Sequence, residues 1–142
     1  MGRHRDRGIS SRPAGERMTP VTFLLLALAG GVGASLRLVV DAVIRSRLST
    51  TFPVGTMLVN LTGCLLLGFI TALAAGHLIP EELRLVLGAG LLGGYTTFST
   101  ASFETVRLAQ EGRYGAALLN GPGLLVAGVL ASVLGLWLGS LG

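Results

Sequence analysis

Long apolar runs separated by short polar breaks make up most of this chain. The first run, Val21 to about Ile44, is long enough to cross about 30 Å of hydrocarbon at about 1.5 Å of rise per helical residue, with Arg37 and Asp41 in its last third. A polar break holding Arg45, Arg47, Ser49, Thr50, Thr51 and Pro53 follows it, and Val54 to about Gly76 gives a second span with one strongly polar side chain, Asn60. The link His77 to Glu82, with Pro80 and two glutamates, ends that span. A third run, Leu83 to about Leu108, changes character at Gly93-Gly94-Tyr95-Thr96-Thr97-Phe98-Ser99-Thr100. Paired glycines followed by hydroxyl residues are poor helix material, so the pattern predicts local unwinding in mid-membrane, with the freed backbone groups facing protein or water. After a short link around Glu111 to Tyr114, a fourth span runs from about Ala116 to Leu141, with Pro122 near its start.

Composition agrees with lipid as the main solvent. Of 142 residues, 51% are hydrophobic and 13% charged, whereas a soluble domain of this size carries charge on roughly a quarter of its residues. The formal charge of +4 would suit nucleic acid only if the arginines formed a stripe on a folded domain. They do not: Arg3, Arg5, Arg7, Arg12 and Arg17 all precede the first apolar run. Residues 1–20 therefore read as a disordered, Arg-rich tail suited to phospholipid headgroups, with Met18 as a second possible start, and residues 21–142 as one transmembrane unit. The single cysteine, Cys64, rules out an intrachain disulfide.

Short connections force four helices into an up-down order with both chain ends on one side of the membrane. The tail side then holds the five tail arginines and Arg84, and the other side holds Arg45, Arg47, Arg107 and Arg113. Without the tail that bias reverses. Twenty-two glycines argue for closely packed helices, with small-xxx-small spacings at Gly30/Ala34, Gly90/Gly94 and Gly135/Gly139.

Polar side chains inside a span cost roughly 2.5–3.5 kcal/mol each when charged, so each needs a reason. The Asn60 amide either donates to an anion or joins two helices. Arg37 either snorkels, pairs with Asp41 one turn away, or holds positive charge over an aqueous vestibule. Glu104 has a possible partner in Arg107 at i,i+3. The hydroxyls of Thr96, Thr97, Ser99 and Thr100 around Phe98 read as the lining of a path: hydroxyls and the electropositive edge of a phenyl ring suit an anion, and unwound carbonyls suit a small cation. The bland alternative is back-bonding to i−4 carbonyls in an ordinary helix. Nothing points to an enzyme: His4 and His77 lack metal-ligand spacing, and there is no nucleophile–base pairing or phosphate-binding loop.

Three stretches, Gly30 to Arg37, Pro53 to Asn60, and Gly93 to Thr100 with Glu104, together resemble the small fluoride channels called Fluc or CrcB, over about residues 20 to 140. The resemblance implies an all-α plasma-membrane protein, a dimer of two antiparallel four-helix subunits with two narrow pores, and passive fluoride export that lowers cytoplasmic fluoride. It also implies a structural sodium ion held by backbone oxygens of Gly93 and Thr96 at the broken third helices. Asn60 would donate to fluoride, Phe98 would present its ring edge beside the hydroxyls of Thr97, Ser99 and Thr100, and Arg37 would stand at the pore entrance.

The chain departs from that pattern in two places. Ala101 stands where the family usually has a second Phe, and Phe103 points about 140° around the helix from Phe98. The fourth helix, with Asn120, Gly123 and Leu124, lacks the usual tyrosine and hydroxyl track. Either a homodimer with altered pore walls or a heterodimer with a related chain would accommodate this. Two other classes compete: a small proton-coupled multidrug exporter, which needs a membrane-embedded carboxylate, and a non-transporting scaffold subunit.

Overall fold

The computed structural model describes residues 19–142, so most of the Arg-rich stretch expected over 1–20 lies outside the described residues. Helix α1 (Pro20–Arg47) starts one residue earlier than the hydropathy suggested, because Thr19 Oγ1 accepts the Thr22 N–H at 3.1 Å and Pro20 supplies a helical φ at the first position. Helix α2 is Val54–Ala75. It closes on His77, whose φ of 57° lets its N–H reach Ala74 O (3.0 Å) while Leu78 N–H reaches Leu73 O (2.9 Å).

The expected third span comes as two helices. The first, α3 (residues 81–95), passes from Glu81–Leu85 through a π-helical stretch, Val86–Leu92, to Gly93–Tyr95. Thr96 (ψ 162°) and Thr97 (φ −148°, ψ 124°) are extended, and α4 (Phe98–Gln110) begins after them. Gly112, at φ 75°, ends α4 with the same pair of closing bonds as His77: Gly112 N–H to Ala109 O (3.0 Å) and Arg113 N–H to Leu108 O (2.9 Å). The last helix, α5 (Tyr114–Gly139), contains a π-helical turn at Leu119–Gly123, where Pro122 lacks the N–H that an α-turn would use. No strand occurs among the described residues. Three helices, α1, α2 and α5, are each long and apolar enough to cross a membrane alone; the interruption leaves α3 and α4 too short to do so separately.

Glycine contacts set the directions. A Cβ on Gly94 would strike the Gly30 carbonyl, and Leu26 lies against Gly90, so α1 and α3 run parallel with backbones in near contact. A Cβ on Gly135 would strike the Leu65 carbonyl, and Ala72 meets Gly139, so α2 and α5 also run parallel. Leu67 lies against Gly88 and Gly63 against Thr96, which makes α2 antiparallel to α3. The start of α1, the 76–80 link and the chain's C-terminus therefore share one end of the bundle, and the 48–53 and 111–113 links share the other. The expected glycine spacings thus serve packing. A small core of Val59, Leu92 and Tyr95, flanked by Val40 and Ile70, sits beside the interruption. Outward residues such as Leu28, Val32, Leu125, Leu130 and Trp137 are exposed and apolar, which suits lipid in a multi-pass membrane protein.

Candidate functional site

Unwinding at Thr96 and Thr97 removes helical partners from backbone groups, and the structure supplies replacements. Asn60 of α2 donates through Nδ2 to Thr97 O (2.9 Å) and accepts the Thr97 N–H on Oδ1 (2.8 Å). In a continuous helix that N–H would bond to Gly93 O, so the Asn60 contact takes the usual donor away from the Gly93 carbonyl. Asn60 thus fills the helix-joining role, with one of its two amide hydrogens engaged and the other left for a further acceptor.

Thr97 is buried and caps α4: its Oγ1 accepts the Thr100 N–H (3.3 Å) and donates to Thr100 Oγ1 (3.0 Å), with Ser99 Oγ at 3.5 Å. The hydroxyls of Thr97, Ser99 and Thr100 therefore form one connected group. Thr96 Oγ1 instead back-bonds to Leu92 O (2.9 Å). Phe98, at the first position of α4, is 87% exposed, and Ser99 and Gly93 are exposed beside it.

Arg37 neither snorkels nor pairs with Asp41. Its Nη1 donates to Thr96 O at 3.3 Å, a carbonyl of the interruption. Asp41 Oδ2 instead binds Arg45 Nε at 2.8 Å, one turn further along α1. The expected Glu104–Arg107 pair is also absent among the described residues: Glu104 Oε1 lies 3.6 Å from Arg45, and Arg107 binds Glu111 at 3.1 Å. Asp41, Arg45, Glu104 and Arg107 line a cavity of about 90 Å³ at the end of the bundle that carries the 48–53 link. Asp41 Oδ1 and Glu104 Oε2 are buried there without hydrogen-bond partners.

Sequence reasoning placed Asn120 only as a departure from a polar track. In the structure it is 1% exposed, and its Nδ2 donates to Ala101 O (3.1 Å) and Thr105 Oγ1 (2.9 Å), tying α5 to the turn of α4 that follows the hydroxyl cluster. An apolar stretch broken by one amide two residues before a proline was the available signal. Ala101 is itself buried, at 9% exposure, within this chain.

The oxygens expected to hold sodium can be tested against this geometry. Gly93 O has lost its helical donor, and Thr96 O accepts one guanidinium hydrogen at the long distance of 3.3 Å, with a second lone pair remaining. Both can take a hard cation as unwound carbonyls do, Thr96 O against the positive charge of the Arg37 guanidinium beside it.

A family model described as CrcB-like protein, camphor resistance (CrcB), matches residues 24–139. The chain is 56% identical over 124 residues to "Fluoride-specific ion channel FluC 1" of Leifsonia xyli subsp. xyli, covering 87% of this chain and 90% of that one. It is 49% identical over 121 residues to "Fluoride-specific ion channel FluC 2" of Cutibacterium acnes, covering 84% and 98%. A FluC 2 of Mycobacterium tuberculosis is 41% identical over 125 residues, covering 88% and 96%.

Proposed function

The chain belongs to the CrcB family, and on that basis we propose that it is a subunit of a fluoride-selective channel that lets fluoride leave the cytoplasm passively. It is a transport protein of the plasma membrane, not an enzyme. The observation that carries the reading to particular residues is the reciprocal Asn60–Thr97 pairing, which holds an opened stretch of backbone next to a cluster of hydroxyls.

Fluoride holds its water tightly, so a path for it must offer fixed donors strong enough to replace hydration yet weak enough to release the ion. The free Nδ2 hydrogen of Asn60, the hydroxyls of Ser99, Thr100 and Thr97, and the ring edge of Phe98 supply such donors. Arg37, held at Thr96 O, gives the approach positive potential. The interruption lies at mid-membrane in this reading. Its exposed Gly93, Phe98 and Ser99 form an open edge of the single subunit, which supports completion of the path by a second subunit. That second subunit is an antiparallel copy or a related chain. Gly93 and Thr96 carbonyls hold a sodium ion where the two interruptions meet.

The exporter alternative needs a carboxylate free to exchange protons with a drug. Asp41, its candidate, is ion-paired with Arg45 at one end of the bundle. The scaffold alternative accounts for Thr97 as the cap of α4 but gives no reason for the exposed Ser99 and Phe98 beside it.

Fluoride efflux from liposomes holding the purified chain, read with a fluoride electrode after adding a potassium ionophore, tests the function. Efflux that outpaces chloride and disappears in Asn60→Leu is the expected result, either from the chain alone or after co-reconstitution with a related chain from the same genome. Silence in both preparations overturns it.

A further inference from the structure

The helix directions sort the arginines of the folded unit by end. Arg45 and Arg47 close α1, and Arg107 and Arg113 flank the end of α4. Arg113 Nη1 donates to Thr51 Oγ1 at 2.9 Å and Arg45 lies 3.6 Å from Glu104, which ties these residues to one end of the bundle. Arg84 alone lies at the other end, near the start of α3, where Glu81 binds it. Arg37 is taken up at the interruption. The folded unit by itself therefore carries four arginines at the end with the 48–53 and 111–113 links and one at the end with its termini. Positively charged residues close to span ends are retained on the cytoplasmic side, so this unit alone is biased to face its termini outward.

Five arginines upstream of Thr19 join Arg84 at the terminal end and change the count from one against four to six against four. All of them fall within the roughly 15–20 residues of a span end over which such charges act. We propose that Arg3, Arg5, Arg7, Arg12 and Arg17 determine the orientation of this chain, holding both termini on the cytoplasmic side against the opposite bias of the helical unit, so that of the two partners left open above the antiparallel one is a related chain and not a second copy. The two acidic residues of the stretch, Asp6 and Glu16, change little, because acidic residues contribute weakly to this bias. The anionic cytoplasmic leaflet favours the same outcome by attracting the stretch once the chain is inserted.

The test is the side on which the C-terminus lies, read in intact cells from the full-length chain carrying either a reporter active only in the cytoplasm or one active only outside. The native chain is expected to report cytoplasmic. The variant with all five arginines changed to Gln is expected to report outside, and the variant with all five changed to Lys to behave as native, since charge rather than the guanidinium is read. Should the Gln variant be degraded, five arginines appended after Gly142 in that background restore six against four and should restore both its level and a cytoplasmic C-terminus. A Gln variant that inserts with a cytoplasmic C-terminus, a Lys variant that inverts, or a degraded Gln variant that the appended arginines fail to rescue overturns the proposal.

Discussion

Asn60 and Thr97 satisfy each other's polar groups in both directions, at 2.9 and 2.8 Å, so a single side chain of α2 gives the Thr97 N–H a new acceptor and the Thr97 carbonyl a further donor where α3 stops and α4 starts. The opened turn is thereby pinned to a neighbouring helix rather than left to solvent. The same pairing withdraws the usual donor from Gly93 O, so the fold that closes one polar debt exposes one carbonyl.

Asn60→Leu removes both bonds and leaves the Thr97 N–H without an acceptor inside the bundle, at about 1–3 kcal/mol for the unsatisfied group. The melting temperature in detergent is expected to fall and fluoride efflux to drop to the protein-free leak. Asn60→Asp keeps the acceptor for the Thr97 N–H but places an oxygen opposite Thr97 O, so it should also stop fluoride while retaining part of the stability. Native-like efflux from Asn60→Asp would show that the amide hydrogens are not part of the path.

Gly94→Ala tests the close contact of α1 and α3. The added methyl meets the Gly30 carbonyl, a backbone atom that cannot rotate away, so the two helices must separate. Overpacking of this kind costs about 1–3 kcal/mol, and a loss of monodisperse protein in size-exclusion chromatography is expected. Gly31→Ala, where a new Cβ meets nothing within contact distance, is the matched control and should be silent.

How much of this was legible in the sequence depends on whether the cause was local. Three of the spans followed from apolar length, a property of the chain near each site, and the extended Thr96 and Thr97 fall in the stretch where paired glycines and hydroxyl residues argued for unwinding. Partner choice was not legible. Arg37 and Asp41 stand at the spacing of a helical ion pair, yet each goes elsewhere, because α3 brings Thr96 O to Arg37 and Arg45 offers Asp41 a nearer guanidinium. Glu104 likewise meets Arg45 across the bundle instead of Arg107 on its own helix. The π-helical turns were missed for a related reason: Pro122 marks one of them in the sequence, but Val86–Leu92 has no such residue.

Asn120→Leu removes the tie between α5 and the first turns of α4. It deletes donors to Ala101 O and Thr105 Oγ1 together with a buried acceptor, Oδ1, that has no partner. The opposing effects leave a net loss of about 0.5–1.5 kcal/mol, the range for an ordinary net hydrogen bond. Ala101→Phe, which gives the chain the second aromatic it lacks, should cost more, about 1–3 kcal/mol, because Ala101 is buried within its own subunit. Thermal melts of the two variants side by side are expected to rank Ala101→Phe as the less stable, with no gain in fluoride flux.

Phe98→Leu separates function from folding. The ring is 87% exposed, so its loss removes little packing within the chain, and the helical content and protease resistance should stay native. Leucine keeps the apolar bulk but has no electropositive ring edge to offer an anion. Fluoride efflux should therefore fall sharply while folding is unchanged. If efflux persists at the native rate, Phe98 is a lipid-facing residue and the path runs along the hydroxyls of Thr97, Ser99 and Thr100 without an aromatic wall. If the subunit instead aggregates in detergent while its helices remain intact, Phe98 belongs to the contact with the second subunit, and crosslinking through a cysteine at exposed Ser99 would then fall in the variant as well.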